Sequence, residues 1–426
     1  MSSTPSRTKI AIVGLGYVGL PLALLVARNG YDVTGIDLDK RKVRLINNRQ
    51  DPIGDEYIAA HLRSSGLIAV ADFSPVESAD IVIICVPTPV KSGIQPDLGP
   101  LKNATASVAS KLKTGSLVII ESTINPGVCD EVVIPAIEKK AGLEINKHFY
   151  AAHCPERINP GDKKWTVENI PRVVGASNKK GLQLALEFYK TIIRAPIKPM
   201  ATLKEAEAVK IVENSFRDVN IAFVNELALS FSKLGINVKN VIDGAATKPF
   251  AFMPHYPSVG VGGHCIPVDP YYLIEYARGY GFEHEFLSLA RTINDRMPQF
   301  TVEQLIEGLG EVGMSLRGAT VLVLGLAYKP DVADDRESPA YKVIKILRSK
   351  GARVKSYDPH LPDKSTAKSL PEAISGVSGV ILVTNHKEFT NFPKMKHSYK
   401  VFVDGKNSFP SDVFTKQKVV YKGIGI

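Results

Sequence analysis

Glycines at 14, 16 and 19 lie between the apolar run Lys9–Val13 and the apolar segment Leu20–Arg28. That spacing restricts the opening of the chain to a strand, a tight turn and a helix packed back on the strand. Short β-rich runs follow at Asp32–Ile36, Asp80–Val86, Ser116–Glu121 and Phe149–His153, with helix-length segments between them. Such alternation predicts a parallel sheet covered by helices. From Ala201 to about Leu234 the pattern becomes a single helix, with Val209, Val212, Phe216 and Val219 at three- and four-residue spacing and Gly235 to end it. A helix of that length spans roughly 50 Å, more than one small domain needs. It could be a core-spanning spacer, or it could join two domains and offer a dimer surface.

A second β/α series begins at Ala319–Gly325 and runs through Arg353–Tyr357, Gly379–Thr384 and Lys400–Asp404. Ile10–Gly19 aligns with Val321–Pro330, the second copy lacking two of the three glycines and carrying Lys329. A diverged internal repeat of this kind is expected to keep the fold and hold a different ligand. The expected fold class is α/β: two Rossmann-like, doubly wound parallel-sheet domains, 1–200 and 301–426, joined by a central helical domain, 201–300.

A chain of 426 residues can build two or three cores. Its 44% apolar and 23% charged residues are those of a soluble globular protein. The net charge of +10 is scattered, the densest short run being Lys40-Arg41-Lys42. That distribution argues against nucleic acid as a partner and fits polyanionic small molecules such as nucleotides. Met1–Arg7 is polar and unlike a signal peptide, and the apolar runs are too short for a membrane span, so the cytoplasm is the expected compartment. Four cysteines without a CxxC pair suggest neither a disulfide framework nor a metal site.

The glycine turn has the form that receives a dinucleotide: Gly14 for the tight bend, Gly16 for close approach of a pyrophosphate, Gly19 for helix–strand packing, with Tyr17 and Val18 between them. Asp37 closes the second strand about twenty residues later, where a carboxylate binds ribose hydroxyls and repels a 2′-phosphate. NAD is therefore expected over NADP, although Lys42 nearby could tolerate phosphate. Pro87 and Thr88 end one strand and Thr123 another, making them candidate cofactor neighbours or ordinary caps. Cys85 reads as a buried thiol and Cys129 as a more open one. Glu156, past the strand ending at His153, could be a general base for water or a solvated loop carboxylate. On the long helix Lys210, Asn214 and Arg217 share one face, either its solvated side or a stabiliser for a developing oxyanion.

Cys265 sits in Gly262-Gly-His-Cys-Ile-Pro-Val-Asp269-Pro270. Its thiolate, given cationic or helix-terminal surroundings, could trap an aldehyde made by one NAD-linked oxidation and hold it for a second. A structural cysteine in a Gly/Pro turn is the plainer reading, and the dinucleotide fingerprint favours the first.

In order along the chain, Gly14–Gly19 with Asp37, Val86–Pro89, Glu121–Thr123, Pro155-Glu156, Lys210–Asn214, Gly262–Asp269, Tyr328-Lys329-Pro-Asp and Asp335–Ser338 resemble the UDP-glucose/GDP-mannose dehydrogenase family. The resemblance implies a four-electron, two-NAD oxidation of a nucleotide sugar at C6 and a dimerising middle domain. It implies Cys265 as nucleophile, Lys210 and Asn214 as oxyanion stabilisers, Asp269 as support, and Glu156 with Thr123 handling water and protons. Lys329 would meet the sugar nucleotide and Arg336 would reach toward the cofactor; Arg157, Arg217, Tyr256 and Gly262 are further expected substrate contacts. His264 and Val268 replace the serine and lysine of the UDP-glucose and GDP-mannose enzymes, and so resemble the branch acting on UDP-N-acetylhexosamines. Lys248–Pro257 and Glu156–Lys164 look more like UDP-N-acetylglucosamine than UDP-N-acetylmannosamine 6-dehydrogenases. A UDP-glucose enzyme and a two-electron β-hydroxyacid dehydrogenase remain as alternatives.

Overall fold

In this computed structural model of the chain, residues 8–89, 96–158, 164–263 and 265–426 are described. His264 and residues 159–163 of the Glu156 loop lie outside them. The chain divides into two compact units, 1–213 with 271–281, and 214–270 with 282–426.

The first unit holds an eight-stranded sheet. Its strands are β1 (Lys9–Val13), β2 (Asp32–Ile36), β3 (Ile68–Val70), β4 (Ile81–Ile84), β5 (Leu117–Ile120), β6 (Tyr150–His153), β7 (Arg172–Ala176) and β8 (Ile197–Pro199). Their order is β3-β2-β1-β4-β5-β6-β7-β8, parallel except where β6 meets β7. Ile10 and Ile12 of β1 enter the core on one face, while Ala11 and Val13 enter the core on the other. Burial on both faces is what lets these strands be almost wholly apolar. At the carboxyl edge the chain steps from strand to strand: the Cys85 amide donates to the Val13 carbonyl (2.8 Å), Glu121 to Ile84 (2.9 Å) and Cys154 to Ile120 (3.0 Å). Four strand ends are thereby set side by side, at the edge where open α/β sheets bind ligands. Helices α1 (Gly19–Arg28) and α2 (Lys179–Ile192) cover one face, their apolar residues in the core that contains Ile10 and Ile12.

The 32-residue helix α3 (Leu203–Leu234) starts in the first unit and ends in the second. After it come α4 (Asp269–Arg278) and α5 (Glu285–Glu311). The second unit's sheet has β9 (Thr320–Leu324), β10 (Arg353–Tyr357), β11 (Gly379–Leu382), β12 (Val401–Asp404) and β13 (Val420–Gly423), with α6 (Pro339–Ser349) packed on it. The order is β10-β9-β11-β12-β13, parallel throughout.

That order matches β2-β1-β4-β5-β6, and the repeat extends to single contacts. Gly14 (φ +92°) and Gly325 (φ +83°) make the same left-handed bend. A Cβ on Gly14 would lie 2.8 Å from the Cys85 carbonyl oxygen, and one on Gly325 would lie 2.5 Å from that of Thr384. Both turns therefore require glycine. Asp37 accepts the Leu15 amide at 2.9 Å, while Asp358 accepts those of Leu326 and Ala327 at 2.7 and 2.8 Å.

The helix read over Ala201 to Leu234 forms over Leu203–Leu234; β1 and β2 form over the residues read, and β4, β5 and β6 are shorter than read by three, two and one residues. Strands β3, β7, β8 and β13 went unread; each is three to five residues long and lacks a clean alternation. Cys129 is a correction: it is wholly buried, with its amide donating to Glu207 at 2.8 Å. Among the described residues no helix is long and apolar enough to cross a membrane.

Candidate active site

The dinucleotide turn is preformed. A Cβ added at Gly16 would meet nothing within 4 Å, so the backbone there is open to a ligand. Asp37 is fixed by the Leu15 amide on Oδ2 and that of Asp39 on Oδ1 (3.0 Å), and the Lys42 ammonium lies 2.7 Å from Oδ2. The turn and the carboxylate suit an adenine dinucleotide, and Lys42 offsets the charge of Asp37. Tyr17 is 41% exposed beside the turn, and Val18 is the half-buried N-cap of α1. Across the strand ends, the Thr88 hydroxyl donates to the Thr123 carbonyl at 2.6 Å. The Tyr272 hydroxyl donates to the Thr88 carbonyl, clamping the turn that follows the exposed Pro87.

Glu156 is no solvated loop carboxylate, being only 4% exposed. One of its oxygens accepts the amides of Arg157 (2.5 Å) and Ile158 (2.6 Å), and the other lies 2.6 Å from the buried guanidinium of Arg172. Arg172 stands 3.8 Å from a second buried carboxyl, Glu121, which receives the Tyr189 hydroxyl. Sequence reasoning missed Arg172 and Tyr189; the one signal was an arginine at the start of the apolar run Val173-Val174. Burial lifts Glu121 to about 7, with Arg172 opposing and Glu156 adding to the rise. Arg157 is engaged elsewhere: its guanidinium pairs with both oxygens of Glu213 and donates to the Pro171 carbonyl at 2.9 Å.

In the second unit Cys265 is partly exposed and not disulfide-bonded. Its carbonyl accepts the amides of Val268 (3.0 Å) and Asp269 (2.8 Å), closing the turn that opens α4. The thiol thus stands at a helix N-terminus, where the backbone dipole favours a thiolate. Asp269, 3% exposed, accepts the side-chain amide of Asn214, 7% exposed, at 2.5 Å. The Cys265 loop leans on the second sheet domain: the Gly263 amide donates to the Arg336 carbonyl at 3.0 Å, and a Cβ on Gly262 would come within 2.8 Å of the Tyr328 side chain. Lys329 follows Tyr328 directly. The Arg336 guanidinium is paired with Asp334, and the Tyr256 hydroxyl with Asp243 at 2.7 Å. Arg217 is exposed on α3 and Lys210 half-buried, the latter in the first unit.

Asp331, His360, His386 and Glu388 hold donor atoms within 4.8 Å of one another, a cluster with no pattern in the sequence. His386 already uses both ring nitrogens, on the Asp331 amide (3.0 Å) and on Asp358 (2.9 Å), and Lys387 neutralises Asp331 at 2.8 Å. His360 Nε2 lies 3.4 Å from Glu388 without a hydrogen bond. Burial works against ionised Asp358, but the His386 and Ala327 hydrogen bonds outweigh it and hold the group at about 2. Fully buried and so engaged, it has no oxygen for a ribose, in contrast to Asp37, which is partly exposed.

Three family models of the UDP-glucose/GDP-mannose dehydrogenases match the chain: the NAD binding domain over residues 8–193, the central domain over 204–296 and the UDP binding domain over 322–411. The UDP-N-acetyl-D-mannosamine dehydrogenase of Pyrococcus horikoshii is 38% identical over 94% of this chain and 95% of its own. The UDP-N-acetyl-D-glucosamine 6-dehydrogenase of Pseudomonas aeruginosa is 36% identical over 90% and 92%. A solved structure of the Pyrococcus horikoshii UDP-D-ManNAc dehydrogenase superposes with a TM-score of 0.90, covering 98% of this chain and 99% of that one.

Proposed function

The chain belongs to the UDP-glucose/GDP-mannose dehydrogenase family, and from that premise we propose that Cys265 carries a UDP-N-acetylhexosamine from C6 alcohol to C6 acid, with UDP-N-acetylglucosamine as the sugar. The enzyme is an NAD-dependent nucleotide-sugar dehydrogenase of the UDP-N-acetylhexosamine branch. The balanced reaction consumes the alcohol, two NAD⁺ and one water, and yields the carboxylate, two NADH and three protons. The observation that carries the reading is Cys265 at the head of α4, four residues before an aspartate that orients Asn214.

When bound, NAD accepts a hydride at each of two oxidations, alcohol to aldehyde and sulfur adduct to thioester. The residues suited to hold it are Gly14, Gly16, Gly19 and Asp37, with Thr88 and Thr123 at the neighbouring strand ends. Lys210 and Asn214 donate to the oxygen that gains charge. The Cys265 sulfur bonds to the aldehyde carbon while the aldehyde oxygen takes a proton. Glu156 then removes a proton from water, the hydroxyl adds to the thioester carbon, and the carbon–sulfur bond breaks to release the acid. In a C-terminal domain over 301–426 Lys329 serves the sugar nucleotide and Arg336 serves the cofactor, and a 201–300 domain pairs two copies through α3. Val268 is buried (6% exposed), a place suited to an apolar residue rather than the lysine of the UDP-glucose enzymes. UDP-N-acetylglucosamine is preferred on the wording of Lys248–Pro257.

The test counts NADH per acid with UDP-N-acetylglucosamine, UDP-N-acetylmannosamine and UDP-glucose, in wild type and Cys265→Ser. Two NADH per acid in the wild type, acid formation lost in C265S, and fastest turnover of the N-acetylglucosamine substrate are expected. One NADH per turnover with full activity in C265S would remove the covalent mechanism, and preference for the mannosamine or glucose substrate would reassign the sugar.

A further inference from the structure

Two carboxyls and one guanidinium are buried together in the first unit, and one guanidinium cannot neutralise both. Glu121, Glu156 and Arg172 are 1%, 4% and 1% exposed. An uncompensated buried charge is costly enough that the group takes a proton instead. Of the two, Glu156 is the more tightly held, with two backbone amides on one oxygen and Arg172 at 2.6 Å from the other. Glu121 has the weaker hold on Arg172, at 3.8 Å, and its other oxygen receives only the Tyr189 hydroxyl.

We propose that Glu121 is a positioning residue for Glu156: when Glu121 ionises, Arg172 is shared between two carboxylates, its grip on Glu156 weakens, and Glu156 becomes the stronger base. The inference rests on the reading of Glu156 as the residue that takes a proton from water. It assigns a use to a buried acid that the reaction steps above do not touch.

The groups facing Glu121 leave it as the switch. Cys85 past β4, Cys154 past β6 and Tyr189 on α2 are all driven up by burial, and His153 on β6 is driven down by burial to about 3. None of these four changes charge near neutral pH. Burial lifts Glu121 to about 7, within the working range of a soluble enzyme. Below that value Glu121 is neutral and Arg172 belongs to Glu156 alone; above it the pair carries one more negative charge.

The experiment measures acid release by quenched flow and the first NADH burst by stopped flow, both across pH 6 to 8.5, in wild type, Glu121→Gln and Tyr189→Phe. Wild type should show an inflection in acid release near pH 7. In E121Q that inflection disappears, the first burst keeps its wild-type rate, and acid release at the alkaline end falls by roughly tenfold, a fraction of the 10²–10⁴ a general base contributes. In Y189F the Glu121 anion loses its hydrogen-bond donor, so the inflection moves to higher pH. An E121Q profile that keeps the wild-type inflection, or that falls uniformly at every pH, overturns the proposal. Should E121Q fail to fold, an unmoved inflection in Y189F overturns it alone. Glu156→Gln separates the inference from its premise. Wild-type acid release in E156Q removes the premise, whereas a stalled thioester there with an unmoved E121Q profile removes the inference only.

Discussion

A side-chain amide can serve a developing oxyanion only if something fixes its direction, and for Asn214 that something is Asp269. The pair is buried, and the bond from the amide nitrogen to the carboxylate is short. A carboxylate acceptor makes this a charge-assisted bond, roughly twice as strong as a neutral one. Asp269 also lies in the first turn of α4, where a negative charge is favoured by the helix dipole. Asp269→Asn keeps the shape and removes the charge. We expect kcat to fall by roughly 10²–10³-fold, the range for losing a preorganised oxyanion donor, with KM for NAD unchanged in steady-state kinetics. A rise in KM with kcat retained would mean that Asp269 acts on binding instead. At this scale the site was unevenly legible. Cys265, Asp269, Asp37 and Glu156 stand out because each sits in a turn or strand end whose local sequence is unusual. Glu121, Arg172 and Tyr189 lie just past β5, on β7 and on α2, and nothing in the sequence around them marks them as partners. Only the fold brings them together.

Elements were legible where the pattern was long or repeated. The helix over Leu203–Leu234 and the five strands of the first series follow from their patterns, whereas β8 has only three residues and β7 and β13 lack a clean alternation. The antiparallel step between β6 and β7 left no trace, since both strands read as apolar runs of either direction. The internal repeat was visible in sequence as a decayed glycine pattern, and the retained glycine explains what decay could not remove. Gly325 takes a left-handed φ beneath the Thr384 carbonyl, which a Cβ would approach to 2.5 Å. The two lost glycines belonged to pyrophosphate approach and helix packing, so a domain holding another ligand can do without them. Gly325→Ala should therefore destabilise the second unit by about 3 kcal/mol, combining left-handed strain of about 1–3 kcal/mol with a backbone clash. Urea unfolding followed by circular dichroism checks this. A loss within about 0.5 kcal/mol, as at an ordinary surface site, would show that the turn relaxes and that its glycine is incidental.

For the molecule as a whole, the long helix buries polar groups beside Ile211, Ala222, Val224 and Ala228 and leaves an apolar stripe exposed. On α3 the buried positions include Glu207, Asn214, Ser215, Asp218 and Asn225, whereas Val212, Phe216 and Phe223 are 55%, 49% and 53% exposed. Apart from the Ser215 hydroxyl, these buried polar groups are bonded: in the second unit Asp218 takes the Arg291 guanidinium at 2.5 Å and the Asn294 amide at 2.8 Å, and Asn225 donates to Asn294 at 2.9 Å. The exposed residues, with Val219 between them, recur at four- and three-residue intervals and so share one face. A helix that spends part of its inward side on a polar network leaves its hydrophobic stripe for another surface, and this spacing is that of a seam between paired helices. A second copy of the chain fits best, because an isologous contact would lay the same stripe against itself. Such a contact needs roughly 1,200 Å² or more in total to persist. The exposed Phe286 and Leu289 of α5 are further apolar surface that it could use. The double substitution Phe216→Glu with Phe223→Glu places like charges in the seam. Light scattering should report half the wild-type mass, and the melting temperature, which mass action makes concentration-dependent in a dimer, should become independent of concentration. A double variant that keeps the wild-type mass would place the contact on another face and leave the stripe of α3 without its partner.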